Sequence, residues 1–135
     1  TDLIDKIGMH SMTLEADLAG NYVASSYAWA TARDWGKFGL LYLHNGTWNG
    51  EQLFTKDWVD YVTTPTPTSE GIYGAQFWLN ADGGFKDVPK NMYYADGYKG
   101  QRVYVLPDQD LVIVRFGLSW LEENAFLKGI LEAIK

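Results

Sequence analysis

The sequence contains no cysteine, which excludes thiol catalysis, disulfides and thiolate metal sites. Histidine is scarce: His10 and His44 each stand alone near a predicted turn. A metal site usually needs at least three convergent ligands, so no metal is expected. Basic residues are few, 11 Lys and Arg against 17 Asp and Glu, for a formal net charge of −6. With no Lys/Arg cluster, the electrostatic footprint for nucleic acid is missing, and an anionic membrane would repel the chain. No apolar run approaches the roughly 18 to 20 residues of a transmembrane helix. No export signal is visible and the first residue is not Met, which reads as a mature or truncated amino terminus.

What is present is apolar and aromatic. The 135 residues are 47% hydrophobic and 16% aromatic, with six Trp and nine Tyr. That suits one ordinary domain with a packed core, and aromatics in such numbers fill a core or line a binding surface. Residues 1–30 read as irregular, with a weak strand pattern over Ser11–Glu15. Thr31 can cap a helix, with Asp34 where a capping acid belongs. Trp35, Phe38, Leu41 and Tyr42 share its inner face, and Asn45-Gly46 stops it after His44. Trp48-Asn49-Gly50-Glu51 reads as a tight turn. A second helix is predicted from Thr55 to Val62, with Trp58, Val59 and Val62 inward, ended by the Pro65/Pro67 loop. Strand patterns cover Tyr73–Leu79, Met92–Ala95, Gln101–Leu106 and Leu111–Phe116. The last is a near-continuous apolar run, as expected of a strand covered on both faces. A terminal helix carries Leu127, Ile130, Leu131 and Ile134 inward, with Glu122, Glu123 and Lys128 outside. The order predicts an α+β fold, an antiparallel β-sheet with flanking helices, in one unit over residues 1–135.

A search for catalytic groups returns mostly negatives. None of Ser11, Ser25, Ser26, Ser69 and Ser119 is followed three residues later by Lys, and none lies in Gly-x-Ser-x-Gly. The carboxylates sit singly, so paired-carboxylate chemistry is not legible. One segment stands out: Ala95-Asp96-Gly97-Tyr98-Lys99-Gly100-Gln101, directly before a predicted strand. On the residues alone it reads first as a hairpin turn with glycine at positive φ. The alternative is a close-approach site, where a backbone N–H at the strand's start meets an oxyanion.

Three segments resemble a known family. Residues 24–50, with Thr31-Ala32-Arg33-Asp34 and Phe38-Gly39 at their centre, look like the mid-region of class C beta-lactamase-like serine hydrolases. That family includes penicillin-binding esterases, D-alanyl-D-alanine peptidases and amide hydrolases related to nylon-oligomer degrading enzymes. Tyr73 to Leu79 is the second segment, and Gly97 to Gln101 with the two strands after it is the third. They occur in family order. The resemblance implies a partial beta-lactamase/transpeptidase-like fold. It also implies that the family's Ser-x-x-Lys and Tyr-x-Asn motifs lie upstream, since neither occurs here. The chain is then expected to be the carboxyl-terminal part of such an enzyme, inactive alone and completed by the amino-terminal part of the same domain.

Carried over position by position, the resemblance places Tyr98 where the family has the Lys or His of its third motif. A phenol supplies a hydrogen bond and no fixed charge, which argues against efficient beta-lactam hydrolysis and toward an esterase or amidase of less polar substrates. Lys99 would point to the other face by strand alternation. Gly100 would keep the strand open to substrate, and the Gln101 N–H would be one of two oxyanion donors. Tyr27 and Trp78 would be pocket walls. No cofactor is implied. Partners would be a small ester, amide or peptide substrate, plus self-association through a bared sheet edge. Many family members are exported, which makes the periplasm or secretion the family expectation for the whole protein. Two rival readings are an aromatic-lined ligand-binding module and a scaffold that has lost catalysis.

Overall fold

The computed structural model describes residues 3–23 and 25–134; Ala24, first residue of the first resembling segment, lies outside them. The chain forms two short ladders and a main sheet. Strands β1 (Thr13–Leu14) and β2 (Ala28–Trp29) pair antiparallel, so the Ser11–Glu15 pattern yields a two-residue strand. Helix α1 (Ala32–Leu43) follows, then the hairpin of β3 (Thr47–Trp48) and β4 (Glu51–Gln52), whose turn holds Asn49 and Gly50 at positive φ. Helix α2 spans Lys56–Thr63. Strands β5 (Trp78–Leu79), β6 (Tyr93–Gly97), β7 (Gln101–Leu106) and β8 (Leu111–Arg115) form one antiparallel sheet in that order, and α3 (Glu123–Ala133) closes the fold.

Strand alternation sorts the core to the two faces of β7. Val105 packs with Val62, Phe77, Leu79 and Tyr93 under Phe38 and Tyr42 of α1. Tyr104 and Leu106 point the other way, into a cluster with Met92, Val88 and Leu127 of α3. Gly39 lets α1 lie close on the sheet: a Cβ there would stand 2.6 Å from Val112 Cγ1 and 3.0 Å from Val103 Cγ1. A third cluster joins Ile7 and Met9 to Leu41, so the irregular amino-terminal segment covers the outer side of α1.

Several expectations need correction. Tyr73–Leu79 was expected as one strand, but only Trp78 and Leu79 pair with β6. The preceding backbone is taken up elsewhere: Ala75 N–H donates to the Val62 carbonyl (3.1 Å) and Thr66 N–H to the Tyr73 carbonyl (2.9 Å). Gly74 permits this, since a Cβ there would meet the Val62 carbonyl oxygen at 2.1 Å. Trp58 is 46% exposed, because Val59 and Val62 alone define the buried face of α2. Glu123 turns inward to Arg102 and Tyr104. Ile134 is exposed at the end of the terminal stripe.

The start of α1 is also built differently. Thr31 Oγ1 accepts from the Asp34 N–H at 3.4 Å, as a cap should. Asp34 does not reach back to Thr31; the Thr31 N–H donates instead to Ser11 Oγ (2.9 Å). The buried Asp34 carboxylate accepts from the Ser11 N–H (2.9 Å), the Ser11 hydroxyl (2.6 Å) and Lys37 Nζ (2.7 Å). Lys37 also donates to the Gly8 carbonyl. The bonds from Lys37 and Ser11 hold the Asp34 carboxyl well below its ordinary 3.8. A depressed carboxyl stabilises the fold fully above the unfolded value and loses that contribution as pH falls through the folded one. The thermal midpoint should therefore drop as pH is lowered from about 4, and Asp34→Asn should start lower at neutral pH with a flatter acid limb. Parallel curves for the two proteins in a melting series would contradict this.

Candidate functional site

The Tyr98–Gly100 turn joins β6 to β7, with Gly97 opposite Gln101. Lys99 (φ 55°) and Gly100 (φ 82°) are both left-handed, and the Gly100 N–H donates to the Gly97 carbonyl at 3.2 Å. Tyr98 is 81% exposed, and Lys99 Nζ lies 5.8 Å from its ring centroid. Strand alternation does not separate the two side chains, because both belong to the turn.

Two links brace this turn against the end of β8. Arg115 donates one guanidinium nitrogen to the Gly100 carbonyl and another to the Ser119 carbonyl. The Gln101 side-chain amide pairs with the Gly117 backbone in both directions: Nε2 donates to the carbonyl (2.7 Å) and Oε1 accepts from the N–H (3.1 Å). Gly100 is needed for both its φ and its neighbour, since a Cβ there would stand 2.6 Å from Arg115 Nη1.

These bonds fix which backbone amides face outward. No described peptide bond is cis, so the C=O and N–H of one unit point in opposite directions. The Gly100 carbonyl is held on the β8 side by Arg115, so the Gln101 N–H faces β6 and Gly97. The Gly97 carbonyl is turned into the hairpin by the Gly100 N–H, so the Tyr98 N–H points away from β7. Strand register agrees. Asn80 N–H donates to the Met92 carbonyl at 3.0 Å, which puts Met92 on the β5 side. Along an antiparallel strand the bonding side alternates, so Tyr94 and Asp96 also face the β5 side. Since β5 pairs only with Tyr93 and Tyr94, it leaves β6 uncovered from Ala95 to Gly97. The outward donors at this edge are thus the amides of Asp96 and Tyr98.

The other expected residues divide. Trp78 sits opposite Tyr94, where the uncovered edge begins, 37% exposed and edge-to-face with Tyr73 at 5.1 Å. Tyr27 stands just before β2, beside the separate β1–β2 ladder, 55% exposed at φ 64°, with its carbonyl accepting from the Glu15 N–H. Sequence reasoning expected a bared sheet edge without placing it on β6, and it missed the brace from Arg115. Gly74, inside the expected strand, was the one available signal for the first.

On the α3 face, Arg102 bonds Asp96 and Glu123 and lies 5.6 Å from the Tyr94 ring centroid. The Tyr104 hydroxyl donates to Glu123 at 2.6 Å. Burial pushes the Tyr104 phenol far up and raises Asp96 despite the guanidinium beside it. Every charge in this cluster has a partner, so it clamps the sheet to α3. A cavity of about 590 Å³ borders Asp87, Pro89, Gln109, Lys128 and Leu131. It lies beyond the opposite end of β7 from the turn. No group of three or more His, Asp or Glu residues suited to a metal occurs among the described residues.

The fold has counterparts among solved structures. One is a Bacillus anthracis protein assigned as a 6-aminohexanoate-dimer hydrolase, with TM-score 0.67, 24% identity and 90% of this chain covered. Another is a Bacteroides dorei protein assigned as a beta-lactamase, with TM-score 0.58, 14% identity and 84% covered. The chain spans 32% and 41% of their lengths. No protein-family model matches the sequence, and no curated protein matches it. The α+β architecture, an antiparallel sheet with flanking helices, is thus a partial beta-lactamase-like fold.

The brace gives a measurable cost. Gly100→Ala places a Cβ at a left-handed φ and displaces Arg115, which should destabilise the chain by about 1–2 kcal/mol. A urea midpoint shift reads this, and an unchanged midpoint would show that the turn relaxes freely.

Proposed function

We propose that this chain forms the carboxyl-terminal wall of a serine hydrolase site that cleaves an ester or amide through an acyl-enzyme. Its nucleophile, in a Ser-x-x-Lys motif, would come from residues outside the 135. The observation that carries the reading is the uncovered edge of β6 beside an exposed, braced turn, in a fold shared with two proteins assigned as hydrolases. An oxyanion hole needs rigid N–H groups aimed at the place where charge develops.

In this reading the serine attacks the carbonyl carbon and its proton passes to the lysine-tyrosine pair. The carbonyl oxygen, now an anion, takes hydrogen bonds from the serine's own N–H and from the Tyr98 N–H. Collapse expels the alcohol or amine, which takes that proton back from the pair; water, giving its proton to the pair, then attacks the acyl-enzyme, and the acid leaves as the serine is reprotonated. Gln101, expected as the donor, becomes the residue whose side chain holds the turn. The Tyr98 side chain lines the entrance as a neutral group, and Trp78 flanks the edge where the acyl chain would lie. A neutral phenol favours substrates without a carboxylate at this point.

The test is p-nitrophenyl ester hydrolysis. The 135 residues alone should give no turnover, whereas the longer protein carrying Ser-x-x-Lys should hydrolyse the ester and be blocked by a fluorophosphonate. In that protein Tyr98→Pro removes one N–H and should lower kcat by roughly 10²–10³ with little change in KM. Tyr98→Phe should retain most of the rate. Fluorophosphonate-sensitive turnover by the 135 residues alone would contradict the reading, as would a longer protein lacking Ser-x-x-Lys.

A further inference from the structure

The chain holds two Asn-Gly pairs, one ending α1 and one turning β3 into β4, in opposite surroundings. An asparagine before glycine is open to attack on its side-chain carbonyl by the next backbone nitrogen, because glycine has no Cβ to shield that nitrogen. At Asn45-Gly46 the peptide unit is pinned at both ends. The Gly46 N–H donates to the Leu41 carbonyl at 2.8 Å, and the Asn45 carbonyl accepts from Gln52 Nε2 at 2.8 Å. Gly46 is buried, and a Cβ there would stand 2.1 Å from the Phe54 carbonyl oxygen. Its nitrogen is held away from the Asn45 side chain. Asn49-Gly50 is the reverse. Trp48 pairs with Glu51, so these two residues are the whole loop of the hairpin. Both are exposed, and nothing lies within 4 Å of where a Gly50 Cβ would be. Among the described residues no hydrogen bond engages the Gly50 N–H or the Asn49 side chain. Asn21, Asn80, Asn91 and Asn124 each precede a residue with a Cβ, and each commits its side-chain amide to a bond.

We infer that Asn49 is a site of spontaneous deamidation and isoaspartate formation, and that the fold protects Asn45 from the same reaction. The Gly50 nitrogen gives its proton to hydroxide and bonds to Asn49 Cγ. The side-chain nitrogen leaves as ammonia, taking a proton from water, and a cyclic imide remains. Water then opens the imide. Cleavage at Cγ gives aspartate, and cleavage at the main-chain carbonyl gives isoaspartate, with the chain running through the former side chain. The net change is one water consumed and one ammonia released, with no oxidant or reductant. Either acid adds a negative charge beside Glu51. Isoaspartate also inserts a methylene into a two-residue loop, so Trp48 and Glu51 lose their register. Strand β4 keeps Gln52 on the Asn45 and Phe54 carbonyls, and Trp48, Leu53 and Phe54 pack in the cluster around Leu41. The change at the hairpin tip therefore loosens the end of α1. The inference does not depend on the hydrolase reading.

Peptide mapping by mass spectrometry measures both sites in the 135-residue chain, incubated at mildly alkaline pH either folded or in urea. An isoaspartate methyltransferase marks the rearranged product. In urea the two asparagines should convert at similar rates, since each precedes glycine. In the folded chain Asn49 should stay within roughly tenfold of its rate in urea, and Asn45 should fall at least roughly tenfold below Asn49, because its pinned peptide must open first. Conversion of Asn49 should quicken as pH rises and should yield both acids. Asn49→Gln, which would have to close a larger ring, should leave the mass of the folded chain unchanged over the same period. Should that variant misfold, the folded and urea rates of the unmodified chain decide alone. Equal rates at Asn45 and Asn49 in the folded chain overturn the proposal. So does a folded Asn49 that persists while Asn49 in urea is consumed.

Discussion

Strand β7 is hydrogen-bonded along both edges and covered on both faces. Val103, Val105 and the half-buried α1 contacts lie on one side, Tyr104, Leu106 and Leu127 on the other, and the four strand residues and Leu127 are nearly solvent-free. A strand held this way has one register, because a slip of one residue would exchange its two apolar faces. The position of the turn before it and of the two strands beside it follows from that constraint. So do the clamp of Arg102 on Glu123 and the approach of α1 through Gly39.

The same constraint makes the turn at Tyr98–Gly100 a defined object rather than a loose loop. Arg115 and the Gln101 side chain tie it to residues 115–119 from the β8 side. With the carbonyls held, planarity settles the amides. The exposed aromatic side chain and the outward Tyr98 N–H are consequences of a brace on the far side of the backbone. A surface amide fixed in this manner can stabilise a developing charge with little reorganisation. The Ser11–Asp34–Lys37 network does comparable work at the start of α1, fastening the irregular amino-terminal segment by charge-assisted bonds.

Much of this was legible in the residues. Thr31 as a cap, Asn45-Gly46 as a stop and the β7–β8 pair around Pro107–Asp110 rest on local chemistry, which tertiary contacts left in place. The α+β layering followed from their order. The failures were tertiary. A seven-residue strand at Tyr73–Leu79 shrank to two because Gly74 allowed the chain to bond α2 instead of β6. Trp58 and Glu123 took sides that helix periodicity alone cannot assign, since a stacked Tyr61 and a half-buried Arg102 decide them. The site segment Gly97–Gln101 was found, but which of its amides faces outward depends on Arg115, distant in sequence and visible only once β8 is in place.

Amide hydrogen exchange resolved residue by residue by NMR tests this orientation most directly. The account predicts that Gln101 exchanges at least roughly tenfold more slowly than Tyr98, with Asp96 as fast as Tyr98. A protected Tyr98 amide together with a freely exchanging Gln101 would contradict it.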